Sequence, residues 1–540
     1  MTREPKVSFL HGAFILAGAA MISRVLGAVY RIPLTRLIGD YGIGLYGAGY
    51  NIYGALYAIT TIGINVAISK LVAEKLARDD EAGAQRVFRI SVVMMFLAGL
   101  VAALFLAVGA RPVADLVMRN PEAFYAIIAL SPAILLASLQ GSLRGYFQGY
   151  QWMAGPAVSQ IIEQLFRVGA LLALAYFLLP RGPGIAAGGA ALGAAVGAVA
   201  GLAYLLWIYA RARRGMVARL GASSGRPEPA GPDERFGVVV RRIFGLAVPI
   251  SIAGVVVPLM GLVDLLVVPL RLQSIGFSVV DSTRLFGWLS QMGMALLNLP
   301  TVVTLGLQTS LVPAVAEAAA LEDRAGVRSR TSAALRATLL VALPATVGLW
   351  VLARPISGLL FNVPEAGVAL SAMSSGVLFL MLQQTSSGVL QGVGRTDIPV
   401  RNLIIGAMVK TAFAWTLTAV PALNVRGAAY GTAVGFGLAA LLNLVAVNRL
   451  VGLRLDLRGA VVKPAAAAGV MGLAAYGGYR VLVPVLGSDL STLVAVAGGA
   501  LIYGVVLLLV GAVRERDFAL VPRIGPRLGA LLKRAGLVRG

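Results

Sequence analysis

The sequence predicts an all-α polytopic membrane protein with 14 transmembrane helices, arranged as two parallel six-helix repeats plus two C-terminal helices. Composition is the first reason: of 540 residues, 58% are hydrophobic and only 13% are charged, and the mean hydropathy is +0.85. The second reason is that the apolar residues occur in runs of about 20, the length that a helix needs to cross a bilayer. The third is an internal repeat. Since each span must satisfy its own backbone hydrogen bonds in lipid, helices are required.

Charge asymmetry predicts the orientation of these spans. The predicted spans lie near residues 9–33, 42–69, 88–110, 124–143, 155–179, 184–210, 243–270, 285–313, 333–353, 366–390, 402–421, 427–448, 462–484 and 491–513. With a cytoplasmic N-terminus, 33 of the 46 Lys and Arg residues fall in cytoplasmic segments and 10 in external loops. The positive-inside rule therefore predicts that both termini are cytoplasmic.

Composition breaks along the chain predict its domains. Residues 211–240 are rich in Gly, Pro, Ser and Arg, which is typical of a linker. We therefore predict an N-lobe at 1–210, the cytoplasmic linker at 211–240, a C-lobe at 241–450, two further helices within 451–513, and a basic cytoplasmic tail at 514–540.

The two lobes share a sequence repeat. A shift of 243 residues places 61–84 on 304–327 and 145–156 on 388–399. The matched pairs include Glu74/Glu317, Asp80/Asp323, Gly145/Gly388, Gln148/Gln391, Gly149/Gly392 and Arg167/Lys410. Because each repeat has an even number of spans, both copies keep one orientation, and we expect a pseudo-twofold axis along the membrane normal.

Composition also excludes several kinds of site. The net charge of +23 would suggest nucleic acid in a soluble protein, but membrane topology accounts for it here, so no nucleic-acid partner is predicted. The chain has no cysteine and one histidine, His11, so we expect no metal site and no cofactor. His11 is interpreted as an interfacial residue, with a proton relay as the less favoured alternative.

Two arginines interrupt the first span, in the stretch SRVLGAVYR at residues 23–31. Arg24 lies about 15 residues into the span, about 22 Å along the helix axis, which is too deep for easy snorkelling. A buried cation costs at least about 2.5–3.5 kcal/mol, so Arg24 needs a partner or a watery cavity. We predict that Arg24 faces a cavity, with a helix-packing role as the alternative. Arg31, near the outer end, fits a cavity or the interface equally well.

Other charged residues lie deep in predicted spans. Glu163 and Arg167 have i,i+4 spacing with the acid first, which favours a pair on one helix face. The pair is either a neutralised structural element or part of a substrate-binding cavity with Lys410. Asp264 is the only acid of the seventh span, and it is interpreted as a charge pair with Lys410 or as an ion site.

Small, aromatic and basic residues suggest further roles. Gly145, Gly149, Gly388 and Gly392 are candidates for hinges or tight turns. Aromatic residues at 41, 46, 50 and 53 resemble an interfacial belt or a cavity lining, and composition favours the belt. The tail at 523–540 is predicted to form an amphipathic surface helix that binds membrane lipids.

Three stretches carry a family resemblance: SRVLG at 23–27, LVAEKLARDDEAGA at 71–84, and LRGYFQGYQWMAGPAVSQIIEQLFRV at 143–168. With them, the whole chain resembles the multidrug/oligosaccharidyl-lipid/polysaccharide (MOP) exporter superfamily, in particular the stage V sporulation protein B and polysaccharide-biosynthesis branch, related to MurJ-type lipid II flippases. The resemblance implies two six-helix lobes that rock around a central cavity. It also implies that Arg24 corresponds to a cavity arginine of the SRVLG motif.

The chain departs from the MurJ pattern at two places. An arginine expected in the second span has no counterpart in NIYGALYAITTIGIN. Some family members are thought to bind sodium through an aspartate of the seventh span, whereas here Lys410 could neutralise Asp264. The sequence therefore leaves open whether transport is coupled to sodium, to protons or to neither.

The function that these features predict is flipping of a polyprenyl-diphosphate-linked sugar, a lipid II-like or other cell-envelope precursor, from the cytoplasmic to the outer leaflet by alternating access. Arginine grips diphosphate oxygens in a bidentate manner, which suits this headgroup. A cation-coupled multidrug exporter of the same superfamily is the alternative. No enzyme activity is predicted. We expect a monomer in the bacterial cytoplasmic (inner) membrane.

Overall fold

The computed structural model describes residues 9–222, 236–453 and 456–512, and these residues form helices joined by short turns, with no strand among them. The predicted surface helix at 523–540 and the side chain of His11 lie outside the described part. Contacts divide the chain into two compact units. The first unit is Met1–Gln273 with Phe277–Gly287, and the second is Ser274–Gly276 with Trp288–Gly540.

In its described residues, the first unit has ten α-helices. They are α1 (Phe9–Val29), α2 (Arg31–Tyr57), α3 (Gly63–Leu76), α4 (Glu81–Pro112), α5 (Ala123–Ala129), α6 (Ser131–Gly149), α7 (Ala154–Leu178), α8 (Pro183–Ala222), α9 (Phe236–Ser274) and α10 (Val279–Gly287). A π-helical turn, Ala58–Ile62, joins α2 to α3. Buried residues of α3, α4, α6, α8 and α9 form one apolar core at the end of the unit that holds the α3–α4 turn.

The part of the second unit that the structure describes has eight α-helices. They are α11 (Met294–Ala320), α12 (Arg324–Val351), α13 (Ala353–Phe361), α14 (Gly367–Met373), α15 (Ser375–Gly392), α16 (Asp397–Leu417), α17 (Val425–Val451) and α18 (Lys463–Leu509). Buried residues of α11, α12, α15, α16 and α17 form an apolar core of this unit. The last helix, α18, packs on α12, where the Tyr503 hydroxyl donates to the Leu340 carbonyl at 2.8 Å.

The number of membrane helices differs from the predicted fourteen. In the described ranges, ten helices are long and apolar enough to cross a membrane, or eleven if the bent pair Pro364–Met373 and Ser375–Gly392 is one span. Two of the ten, Gly18–Leu76 and Arg458–Leu509, each cover two predicted spans, and in each a non-helical glycine, Gly39 or Gly487, lies between those two spans. The count of fourteen stays a prediction.

The division into units also differs from the predicted lobes. The predicted C-lobe begins at residue 241, whereas most of α9 belongs to the first unit. Val239, Ile243 and Ala247 of α9 are buried in the core of that unit, and the Arg242 guanidinium lies 2.9 Å from the Glu74 carboxylate. These contacts explain the assignment of α9, and the predicted lobe boundaries stay a prediction.

Candidate functional site

Glu163 lies at the centre of a buried charge cluster in the first unit. Its Oε2 atom accepts a hydrogen bond from Arg144 Nη2 at 2.7 Å, and its Oε1 atom accepts one from Arg167 Nη2. Arg144 also donates through Nε to the Ser159 hydroxyl at 3.0 Å. The side chains of Arg144, Glu163 and Arg167 are 8%, 12% and 12% exposed, so this is a three-residue ion cluster inside the helix bundle.

Aromatic side chains connect this cluster to the first span. Arg167 Nη1 donates to the Tyr50 hydroxyl at 3.2 Å, and the Tyr50 ring stacks on Tyr46 with centroids 5.4 Å apart. The Tyr46 and Tyr30 hydroxyls are 2.8 Å apart. The Arg31 guanidinium lies 5.6 Å from the centre of the Tyr30 ring. Arg31 and the Arg144–Glu163–Arg167 cluster are thus parts of one continuous polar and aromatic network.

The sequence around the site explains this geometry. Glu163 and Arg167 are one helical turn apart on α7, so they point to the same side. Helix α8 approaches this turn through Gly197, where a Cβ atom would lie 2.5 Å from the Glu163 carbonyl oxygen. Any larger residue at that position would push α8 away from the charged pair.

The site has an excess of positive charge. We call Arg31, Arg144, Glu163 and Arg167 the cation cluster; it holds three guanidinium groups and one carboxylate. Each guanidinium has five N–H donors, more than the carboxylate and neighbouring hydroxyls can accept. The surplus charge and donors suit an anion with several oxygens, such as a phosphate ester.

Arg24 lies apart from this network. It is exposed, on the helix α1 that packs against α7, and within the described ranges it makes no hydrogen bond or ion pair. Arg31 is half-buried, and its Nη1 atom donates to the Gly27 carbonyl at 3.0 Å. The structure therefore links Arg31 to Arg167 and Glu163 only through the row of tyrosines, and it leaves the predicted contact Arg24 available to a ligand.

Lys410 of the second unit occupies a different setting from Arg167, its match in the repeat. Both Lys410 and Asp264 are buried, with 3% and 6% exposure, but Asp264 belongs to the first unit. Their predicted pairing stays a prediction. Two turns earlier on α16, the Asn402 side chain donates to Asn443 at 2.9 Å, and Asn443 donates to the Ser387 hydroxyl at 3.0 Å. By the 243-residue shift Ser387 matches Arg144, so a neutral hydroxyl stands where the first unit has one of its charged groups.

The four predicted hinge or turn glycines lie in helices. Gly145 and Gly388 are inside α6 and α15, so the turn interpretation is wrong for these two. Gly149 and Gly392 are the last residues of the same helices. A Cβ at any of the four would come within 2.9 Å of a neighbouring helix. Their immediate structural role is close helix packing, and a hinge role stays a prediction.

The aromatic belt predicted for 41, 46, 50 and 53 is wrong for two of its members. Tyr46 and Tyr53 are 1% and 6% exposed, because α2 turns this face into the bundle.

The sequence does not predict Arg144 as a site residue. The predicted span ends at residue 143, which places Arg144 in the cytoplasmic segment that follows. Helix α6 continues to Gly149, and Arg144 is 7% exposed. One feature of the sequence could have drawn attention to Arg144: the 243-residue shift places it on another polar residue, Ser387.

Comparison with known proteins gives the family. The model of the "Polysaccharide biosynthesis protein" family matches residues 9–274, and the MatE model matches residues 290–416. Stage V sporulation protein B of Bacillus subtilis (strain 168) is 28% identical over 84% of this chain and 86% of its own length. The chain belongs to the MOP exporter superfamily, in its SpoVB/MurJ-like branch.

Two further comparisons agree with this membership. The lipid II flippase MurJ of Bacillus subtilis (strain 168) is 25% identical over 82% of this chain and 83% of its own length. A solved structure of lipid II flippase MurJ in an inward closed conformation has the same fold, with a TM-score of 0.69 at 15% identity, covering 92% of this chain and 98% of that chain. This MOP-superfamily chain is therefore a multi-pass membrane transporter or flippase.

Proposed function

We propose that this MOP-superfamily protein flips a polyprenyl-diphosphate-linked sugar from the cytoplasmic to the outer leaflet by alternating access, and that its first unit binds the diphosphate. The observation that carries the proposal is the cation cluster. Two guanidinium groups bonded to one carboxylate, with a third linked to them through tyrosines, all in membrane-crossing helices, are costly unless an anion or water shares them. A relative named lipid II flippase MurJ supports the class of substrate.

The carboxylate of the cluster argues against the multidrug alternative. A cationic drug needs an acidic side chain that is free to pair with it. Both oxygens of Glu163 already accept hydrogen bonds from arginines, so the carboxylate is not available to a cation. A diphosphate, in contrast, can bind the guanidinium N–H groups that Glu163 leaves unused.

We further propose the 6+6+2 architecture with fourteen spans. Asp80 accepts from the Gly83 N–H at 2.7 Å at the start of α4, and Asp323 accepts from Gly326 at 2.8 Å at the start of α12. These matched caps support two repeated halves. Non-helical glycines also support the count, because Gly39 and Gly487, with φ of 73° and 74°, interrupt the two overlong helices between predicted spans.

The test is a flipping assay on variants that remove single guanidinium groups. The protein is reconstituted in proteoliposomes with a fluorescent polyprenyl-diphosphate sugar. We expect Arg24→Ala and Arg31→Ala each to lower the flipping rate at least about tenfold, equivalent to ~1.4 kcal/mol, because each removes a charge offered to the diphosphate.

The matched control is Arg181→Ala, which removes an exposed arginine from the short Leu179–Arg181 turn. It should flip at the wild-type rate. Elution as a single folded species must be the same for all three variants. Wild-type rates for both Arg24→Ala and Arg31→Ala would overturn the proposed binding role.

A further inference from the structure

The second unit contains an open cavity of about 300 Å³ at one end of its helix bundle. It lies where α12 ends, where α14 meets α15, and where α17 begins. The helices α14 and α15 meet at a 46° bend. Hydroxyl and aromatic side chains dominate its lining: Thr346, Trp350, Ser371, Ser374, Ser375 and Tyr430. The cavity is separate from the cation cluster, which belongs to the first unit.

Three of the lining hydroxyls are free to bind a ligand. Thr346 Oγ1 is buried without a hydrogen-bond partner in the described ranges. The hydroxyls of Ser375 and Tyr430 likewise make no hydrogen bond within the described chain. By contrast, Thr338 of the same helix α12 bonds to the carbonyl one turn back, that of Ala334, at 2.9 Å. A buried hydroxyl without a hydrogen-bond partner costs free energy. A ligand that forms a hydrogen bond with Thr346 would remove this cost and bind more tightly.

The remaining hydroxyls have partners within their own helix. Ser371 donates to the Val368 carbonyl at 3.0 Å, and Ser374 donates to the Ser371 carbonyl at 2.7 Å. They can still accept hydrogen bonds through their free lone pairs. The rim is aromatic, since Trp350 is 62% and Tyr430 is 41% exposed. Both donors and acceptors are thus available beside a flat apolar surface.

This chemistry selects a neutral ligand with several hydroxyls. All residues that line the cavity are uncharged, so a charged ligand would have no counter-charge there. Hydroxyl side chains both donate and accept, as sugar hydroxyls do. The indole ring offers the flat apolar surface that the C–H face of a pyranose can cover. The volume is at the lower end of the range of about 300–1,000 Å³ for ligand pockets, which favours a single ring.

We propose that this cavity binds one neutral sugar ring, with its apolar face on Trp350 and its hydroxyls on Thr346, Ser375 and Tyr430. Its biological use rests on the proposed function, because the transported headgroup would supply the sugar. On the proposed topology the cavity lies at the external ends of its helices. It would then hold the sugar portion of the headgroup on the outer side.

The test is binding of methyl β-D-glucopyranoside to the whole protein in nanodiscs of unglycosylated phospholipid. Saturation-transfer NMR and calorimetric titration should both show saturable, millimolar binding to the wild type. Trp350→Leu should weaken the affinity at least about tenfold, and Thr346→Val should weaken it by a smaller factor. Trp207→Leu, which removes a tryptophan of the first unit that is 58% exposed, is the matched control and should bind like the wild type.

Two results would overturn the proposal: no saturable binding to the wild type, or equal affinity for Trp350→Leu and the wild type. Each variant is first checked for native elution and helical circular dichroism. Arg24→Ala separates this proposal from the proposed function. It should lose flipping and keep methyl glucoside binding, because Arg24 belongs to the other unit.

Discussion

At the scale of single residues, the stability of the first unit depends on one carboxylate, that of Glu163, which pairs with two arginines. Glu163 compensates two buried guanidinium groups, those of Arg144 and Arg167. Removing one partner of a buried ion pair is strongly destabilising, because the remaining charges stay buried without compensation. Glu163 therefore stabilises the site, and the arginines supply the charge that a ligand would use.

We predict that Glu163→Gln lowers the free energy of unfolding by about 3–5 kcal/mol, since both arginines then lose their counter-charge. The measurement is thermal unfolding of the detergent-solubilised protein. Glu365→Gln, at an exposed glutamate, is the control and should stay within about 0.5 kcal/mol of the wild type. The double variant Glu163→Gln/Arg144→Gln should recover part of the loss. An unchanged melting temperature for Glu163→Gln would contradict the shared-carboxylate account.

Sequence reasoning reached part of this cluster. The i,i+4 spacing of Glu163 and Arg167 predicted a pair on one face, and the ion pair forms. Arg144 could not be found in the same way, because hydropathy cannot distinguish an arginine just beyond a span from one just inside a bundle. Its burial depends on six more helical residues of α6 and on the approach of α7.

At the scale of helices, glycines determine how closely neighbours pack, and the contacts repeat. A Cβ at Gly149 of α6 would lie 2.6 Å from Val72 Cγ1 of α3, and one at Gly392 of α15 would lie 2.8 Å from Val315 Cβ of α11. The two valines are 243 residues apart, as are the two glycines. The sequence repeat predicted that these positions correspond, but it did not reveal that their role is close helix packing.

We predict that Gly149→Ala and Gly392→Ala each lower the free energy of unfolding by about 1–3 kcal/mol, because the added methyl group overpacks a helix contact. Gly109→Ala is the control, since a Cβ there has nothing within 4 Å. It should be neutral or stabilising by up to about 1 kcal/mol, because alanine favours a helix more than glycine. Thermal unfolding checks all three variants. A loss for Gly109→Ala equal to the other two would contradict the packing argument.

At the scale of the whole molecule, the predicted number of membrane spans is fourteen, which is more than the number of membrane-length helices in the described ranges. The sequence predicted two crossings within 462–513, and α18 covers both of them, with the non-helical Gly487 joining its two parts at a kink. Hydropathy shows how long an apolar run is. It does not show whether two neighbouring crossings are separated by a loop or joined directly at a kink. Fourteen spans require that the region around Gly487 be outside the membrane.

Cysteine labelling tests this topology, because the chain has no native cysteine to remove. We predict that Arg181→Cys and Ser488→Cys react with a membrane-impermeant maleimide in intact cells. Arg78→Cys and Thr396→Cys should react only after the cells are opened. All four positions are exposed in the structure, so labelling reports the side of the membrane. A Ser488→Cys variant that stays unlabelled in intact cells, while Arg181→Cys is labelled, would contradict the fourteen-span topology.

The central claim is that the cation cluster serves an anionic lipid headgroup. The most direct measurement compares two substrates in the same wild-type proteoliposomes: a fluorescent polyprenyl-diphosphate sugar and a fluorescent lipophilic cation. The account predicts protein-dependent flipping of the diphosphate and no protein-dependent transport of the cation, because the surplus guanidinium charge attracts one and repels the other. Transport of the cation without flipping of the diphosphate would contradict it.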